Sequence, residues 1–303
     1  VGINALGSVV HGDMNGVQIT GLANLAGGTM RGVQLAGISN ISGNNTVGLS
    51  AAGLVNITGD RTQGVIISGL TSIGGDNTSG LMISGFMNVT GNMASGLHFS
   101  GAANITGQSF GGLMASGLLN VVGEHMNGLQ IAGIANITAS KLNGVQIALC
   151  NYATQARGLQ IGLVNYYKED MKGFQLGLVN ANPDTRVQMM VYGGNATPAN
   201  IGVRFKNQLF YTILGVGSMY QGLNDKFSAS ASYRAGLSFP LYKGLSISGD
   251  LGYQHIEAFD NKDEVIPKRL YALQARANLE YQFTKKFGIF ATGGYGLTRF
   301  YNK

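Results

Sequence analysis

A sixteen-residue unit that opens at Gly16 repeats with almost no error to about Asn143. Its first copy reads GVQITGLANLAGGTMR, and later copies read GVQLAGISNISGNNTV, GLMISGFMNVTGNMAS and GLQIAGIANITASKLN. The opening glycine recurs at Gly16, Gly32, Gly48, Gly64, Gly80, Gly96, Gly112, Gly128 and Gly144. A fixed period this short confines the chain to stacked copies of one small unit, because no single copy can bury an apolar face alone.

Within each unit the second slot is apolar (Val17, Val33, Leu49, Val65, Leu81) and so is the fourth (Ile19, Leu35, Ala51, Ile67, Ile83). That alternation is the mark of a strand with one covered face. Apolar residues return at the seventh and tenth slots, as in Leu22 and Leu25 or Leu54 and Ile57. Further glycines stand at the sixth slot (Gly21, Gly37, Gly53, Gly69) and the twelfth (Gly27, Gly43, Gly59), the latter replaced by Ala139 in one copy. Three glycines in sixteen residues disfavour helix by about 1 kcal/mol each relative to alanine. Each unit therefore reads as two short strands joined at glycine corners, and the sixth-slot corner is expected to need positive φ. Identical slots would stack at about 4.8 Å as a parallel β-solenoid. The ninth slot holds Asn24, Asn40, Asn56, Asn88, Asn104, Asn120 and Asn136, with Ser72 the exception. Asparagine tolerates left-handed corners, and stacked amides form ladders along an axis; a row of ligand-binding amides is the alternative use.

Other repeat architectures fit badly. Sixteen is no multiple of five or six, and no Asp recurs at a fixed slot as calcium-binding repeats require. Membrane hairpins need about 9–11 residues per strand, too many for this period.

The 303 residues allow two domains, placed at 1–182 and 183–303. Forty-eight glycines without a Gly-X-Y period, and only four prolines, exclude collagen. The single cysteine, Cys150, excludes an internal disulfide and is expected to be a small buried residue. Residues 1–157 hold four acids and four bases, so the whole net charge of +6 lies in residues 158–303. Those bases are scattered, which argues against a nucleic-acid partner. No apolar run is long enough for a membrane helix. The chain opens at Val1 without Met, which is expected of a processed chain.

In chain order, residues 2–15 read as a degenerate first rung of fourteen residues. From Gly144 the unit shortens by loss of a residue before the internal glycine slot, and tyrosines enter at Tyr152, Tyr166 and Tyr167. The short units GLQIGLVN at 158–165 and GFQLGLVN at 173–180 resemble the Gly-Leu-Gln-x-Gly-Leu-x-Asn surface-repeat proteins of Gram-negative bacteria, notably Bacteroidetes. The resemblance covers roughly residues 16–180. It implies a surface or outer-membrane protein with no known catalytic residue.

After about Arg186 the glycine pattern stops and long amphipathic strands begin. Phe227, Ala229, Ala231, Tyr233, Ala235, Leu237 and Phe239 alternate with Ser228, Ser230, Ser232, Arg234, Gly236 and Ser238. Tyr271, Leu273, Ala275, Ala277, Leu279, Tyr281 and Phe283 alternate with polar, charged or small residues. Such strands run well past the five or six residues usual in soluble sheets. Length, aromatic ends and a polar second face predict an antiparallel transmembrane β-barrel of about eight strands. Further strands are predicted at 187–192, 200–206, 209–220, 245–256 and 287–301. Connections at 206–208, 240–244 and 284–286 are short, and those at 193–199, 221–226 and 259–268 longer, as in outer-membrane barrels. Seven strands are legible, so an even count with both ends on the periplasmic side predicts a further strand past Lys303.

No catalytic motif is present. There is no Gly-rich loop ending in Lys-Ser or Lys-Thr and no Gly-x-Ser-x-Gly elbow. His11, His98, His125 and His255 lack metal-ligand spacing, so neither cofactor nor metal is expected. Two groups stand out. The third slot varies along one line through Ile66, Met82, His98 and Met114; if it points outward, it is an apolar stripe for a partner. Inward-facing Arg234, Asp250, Arg276 and Glu280 would form a polar network in the barrel lumen, since an eight-stranded barrel has room only for side chains. The expected function is non-catalytic, at the bacterial outer membrane and cell surface. A barrel seated in outer-membrane lipid would anchor a solenoid scaffold that binds a partner protein or surface glycan, with or without a place in a larger complex. A small channel is the alternative. A barrel-borne enzyme is a third class, for which only His255 could serve a nucleophile.

Overall fold

The computed structural model describes residues 2–194, 197–218, 227–259, 269–284 and 286–301. The described residues contain strands, turns and bends and no helix. Two compact units divide the chain, Val1–Gly177 and Leu178–Lys303.

The first unit is a parallel β-solenoid. Its strands pair in register with the copy sixteen residues away: Gly64 with Gly80 and Gly80 with Gly96, then Ile66 with Met82 and Met82 with His98. Each regular rung has a longer strand such as Asn77–Ser84, a bend at the sixth and seventh slots, and a short strand such as Met87–Thr90. The bends also pair along the stack. The amide of Phe86 donates to the carbonyl of Leu70 (2.8 Å), and that of Ala102 to Phe86 (2.8 Å). Gly2 pairs with Gln18 and Ser8 with Asn24. Residues 2–15 therefore belong to a sixteen-residue rung entered at its third slot, not to a fourteen-residue one.

The left-handed backbone falls elsewhere than the sequence suggests. All eleven unit-opening glycines from Gly16 to Gly173 have φ between +106° and +150°. Gly69 and the other sixth-slot glycines do not. Gly69 is small for a different reason: a Cβ there would lie 1.9 Å from the carbonyl oxygen of Gly53 in the rung below.

The interior is mixed: an apolar core of residues such as Phe110, Met126 and Leu142 runs beside inward polar side chains. Asn104 Nδ2 donates to Asn120 Oδ1 (2.9 Å) and to the carbonyl of Ala115 (2.8 Å). The same pattern runs from Asn88 through Asn136 to Asn151 and Asn165. These asparagines sit within strands facing inward, not at corners. Where Ser72 interrupts the ladder, hydroxyls carry it. Asn56 donates to Ser68 (2.7 Å), Ser68 and Ser84 each contact Ser72 (2.7 and 2.9 Å), and Ser84 donates to Asn88 Oδ1 (2.6 Å). Stacking gives each amide an identical neighbour at a fixed distance, so burial leaves few of its polar atoms unpaired.

The last rungs shorten at two places. Ala135 pairs with Cys150 and Lys141 with Gln155, so one residue is lost before Cys150 and another between Thr138 and Lys141. Strands there run through the corner, as in Ala135–Ile147 and Val164–Leu176. Cys150 faces outward and is exposed, contrary to the buried position its neighbours suggest.

The second unit contains a seven-stranded antiparallel meander: Arg186–Tyr192, Ala199–Asn207, Phe210–Ser218, Ser228–Tyr242, Leu245–Ala258, Arg269–Gln282 and Gly288–Phe300, each paired with the next. The four last strands run 13 to 15 residues. Lys243 (φ +34°) and Gly244 (φ +89°) join two of them as a two-residue hairpin, the geometry that follows right-handed strand twist. The connections expected at 221–226 and, beyond Phe259, at 259–268 lie outside the described residues, as do Lys285, Lys303 and Val1. The phase of the alternation is as read: Ser228, Ser230, Arg234, Ser238, Asp250, Gln254 and Asn278 are buried, while Leu237, Phe239, Leu251, Leu273 and Leu279 are exposed.

Candidate functional site

The third-slot column points inward. Ile66, Met82, His98 and Met114 are at most 3% exposed, so they are no partner stripe. Alternation gives two faces but not which of them is covered, and the opposite phase is the one that folds. Along this column Gln34 Nε2 donates to Gln18 Oε1 (2.9 Å), and Gln146, Gln160 and Gln175 continue the same chain from Gln130 at the far end (2.8–2.9 Å). Ser50 and these four residues fill the gap between the two amide runs. The His98 ring meets Phe110 edge-on at 4.9 Å, and its Nε2 has no hydrogen-bond partner. Burial pushes the imidazole down to about 4, so it is neutral at pH 7.

The residues read as core face outward instead. Second- and fourth-slot side chains such as Leu97 and Ile83, bend residues such as Leu70 and Phe86, and tenth-slot residues such as Ile73 are all partly exposed. Charge is confined to the rest of the rung. Asp13, Arg31, Asp60, Arg61, Asp76, Glu124, Lys141 and Arg157 all fall in slots thirteen to sixteen or their equivalent. Two hollows open on this polar side. One of about 400 Å³ is lined by Thr29, Arg31, Asn45, Asp60, Arg61 and Asp76. The other, of about 450 Å³, is lined by residues including Arg61, Gln63, Asn77, Ser79, Met93 and Asn127. Asn77 Nδ2 donates to Asp76 Oδ2 (2.9 Å), Asn92 also donates to Asp76, and Arg31 pairs with Asp13 at 3.5 Å. The amides, carboxylates and guanidiniums lining these hollows can hydrogen-bond a polyhydroxylated or peptide ligand.

In the antiparallel unit, the four predicted polar residues separate into three roles. Arg234 and Asp250 form a buried two-bond pair (3.0 and 3.1 Å). Glu280 pairs not with Arg276 but with Arg204, in a fork of two 2.8 Å bonds. Tyr211 Oη and Asn278 Nδ2 donate to Asp250 (2.8 and 2.9 Å), and Asn278 also reaches Ser248, which donates to Glu280 (3.1 and 2.6 Å). One network thus joins both ion pairs. Arg276 makes no hydrogen bond to either pair: it donates to Gln274 and, with Arg234, Tyr192, Asn200, Gln254 and Phe290, lines a cavity of about 430 Å³. Sequence reading missed Arg204, Tyr211, Ser248 and Asn278. The inward phase of Arg204 is legible from Asn200 and Gly202, but its partner lies 76 residues away.

No group of three or more His, Cys, Asp or Glu side chains that could hold a metal occurs among the described residues. No protein-family model, curated protein or solved structure matches the chain.

Proposed function

We propose that this chain is a non-catalytic protein of the bacterial outer membrane and cell surface. The C-terminal sheet is a transmembrane β-barrel of about eight strands that anchors it. The solenoid is a scaffold whose polar side binds a partner protein or surface glycan. The observation that carries this reading is the four consecutive strands of 13 to 15 residues with an apolar outward face and a hydrogen-bonded ionic interior. Soluble sheets of this length are unusual, and a membrane strand needs about 9–11 residues. Gly288–Phe300 pairs on one edge only and is exposed on both faces, the position an eighth strand would cover. Rings of Tyr192 and Phe290, on the first and last strands, lie 6.2 Å apart. The Gly-Leu-Gln repeat resemblance points to the same compartment.

The test has two parts. In detergent, a membrane barrel keeps a compact form on unheated denaturing gels and shifts on boiling; a chain that migrates identically in both states is not one. Binding to intact envelope glycans or surface proteins should weaken on Arg61→Ala with Asp76→Ala, and unchanged capture would move the binding surface elsewhere. Unitary currents in planar bilayers would favour the channel reading.

A further inference from the structure

From the second to the eleventh slot, the eight regular units contain no Asp, Glu, Lys or Arg. The outward residues of those slots are aliphatic or small, with Phe86 and Phe99 among them. They form two apolar faces that meet at the bend of each rung, and the bend residues Leu22, Ile38, Leu54, Leu70, Phe86 and Leu118 are 43–52% exposed. Apart from Ser39 and Thr71 in the outward eighth slot, the polar residues of the same slots point inward, many of them into the amide ladders, and every fixed charge before residue 158 sits on the remaining side.

We propose that this two-faced edge of the solenoid is embedded in the hydrocarbon of a lipid bilayer, with the charged side left in water. Three observations select lipid over a protein cover. The faces diverge from a convex edge, so a second copy laid against one leaves the other bare, whereas acyl chains cover both. Their total lack of charge over ten-residue runs far exceeds what protein interfaces show, where a polar rim surrounds the apolar centre. The exposed backbone of the bends is already satisfied by the rung below, through bonds such as Leu54 to Ile38 (2.9 Å) and Leu118 to Ala102 (3.0 Å). Surfaces in contact with hydrocarbon must meet that condition. The polar interior fits as well, since lipid reverses the usual advantage of turning apolar side chains inward. This goes beyond the barrel anchor: it places a second part of the chain in lipid, on residues that the sheet does not share.

The chain's only cysteine is already on the proposed lipid side. Cys150, exposed at an eighth-slot position, can carry an environment-sensitive fluorophore in the full protein without substitution. In a Cys150→Ala background, Leu70→Cys adds a second lipid-side probe, Gln63→Cys a polar-side probe and Leu279→Cys a probe on the outer face of the sheet. The protein is reconstituted in phosphatidylcholine vesicles with or without brominated acyl chains. Probes at 150 and 70 should emit at shorter wavelength than the probe at 63. They should lose most of their emission to brominated lipid and resist aqueous iodide, and the probe at 63 should do the reverse. Iodide reaching 150 and 70 as readily as 63 overturns the proposal. So does shielding of 150 and 70 from both quenchers, which would mean a protein cover. The probe at 279 separates the two readings: quenching by lipid there alone leaves the barrel and removes the embedded solenoid, and quenching at 150 and 70 but not 279 removes the barrel.

Discussion

The solenoid and the antiparallel sheet both bury polar side chains and leave many apolar ones outward, but they satisfy the buried polar groups by different chemistry. In the solenoid each inward slot recurs every sixteen residues, so an amide meets a copy of itself one rung away and donates to it, as Asn104 does to Asn120. Neutral groups suffice. In the sheet no position repeats, and each inward residue faces a different partner, so the interior is held by opposite charges: Arg234 with Asp250 and Arg204 with Glu280. Repetition replaces charge. The solenoid should therefore tolerate local change that preserves the ladder, while the sheet should be sensitive to the loss of one partner.

The largest effect is expected in the sheet. Asp250→Ala strands Arg234, whose side chain is 3% exposed, together with the donors Tyr211 and Asn278. Removing one member of a buried pair destabilises by about 3–5 kcal/mol. Adding Arg234→Met to Asp250→Leu should recover most of that, because a packed apolar pair carries no stranded charge. Urea midpoints of the refolded protein measure both, and a double variant no better than Asp250→Ala would mean that the pair is held by more than its charges.

Next comes backbone. Gly80 has φ +119°, and a Cβ there would lie 2.1 Å from the carbonyl oxygen of Gly64. Gly80→Val meets both left-handed strain and a clash that cannot relax without moving the rung below, for a loss upwards of about 3 kcal/mol. Gly293 in the last strand of the sheet has nothing within 4 Å of a built Cβ. Gly293→Ala should stay within about 0.5 kcal/mol. Equal melting temperatures for the two would break the distinction between stacked and edge glycines.

His98 is a titratable group buried in the solenoid interior. Its folded pKa of about 4 lies below the ordinary histidine value of 6.5, so the unfolded chain binds the proton more tightly. Stability from this group is complete above about pH 7, falls through the interval between 6.5 and 4, and is lost below it. Between pH 7.5 and pH 5 the loss from this residue alone is about 2 kcal/mol. His98→Met, matching Met82 and Met114 in the same column, should remove that part of the pH dependence of the urea midpoint. A pH profile unaltered by the substitution would show that the imidazole titrates freely.

Strand positions and register were largely legible, because the repeat and the long alternations admit one reading. Ser228–Tyr242 and Arg269–Gln282 lie within three residues of the runs that predict them. The sign of the alternation was legible only where charge marks a face: Arg234, Asp250 and Glu280 set it in the sheet, and nothing charged occupies the solenoid's strands at slots two to eleven. The default reading therefore turns apolar residues inward, and leaves an outward stripe of Ile66, Met82, His98 and Met114 as the conditional alternative face. Two signals carried the opposite sign. Glutamine recurs at the third slot at both ends, in Gln18, Gln34, Gln130, Gln146 and Gln160, which suits a ladder better than a surface. The charges also segregate into the last four slots. Ion partners such as Arg204 and Glu280 were not legible, because pairing across the sheet depends on its curl and not on local pattern.

The smallest effect tests the ladder most closely. Ser72 shows that a hydroxyl can stand in for the ladder amide when serines occupy the fifth slot of its own rung and the next, here Ser68 and Ser84. Asn104 has the same flanks. Ser100 and Ser116 occupy the equivalent positions, both buried enough to hide their hydroxyl oxygens, and neither oxygen has a partner. In Asn104→Ser the new hydroxyl can engage both, replacing bonds to Asn120 and the carbonyl of Ala115 with two to serines that now have none. The expected change is under about 1 kcal/mol, the scale of one net hydrogen bond. Asn104→Leu offers no such relay and leaves Asn88 Nδ2 without its side-chain acceptor, for a loss of about 1–3 kcal/mol. A serine at 104 as harmful as leucine would show that the Ser72 rung is tolerated for its own local packing, and that the ladder is specific to the amide and not to any group that can pass a hydrogen bond along the axis.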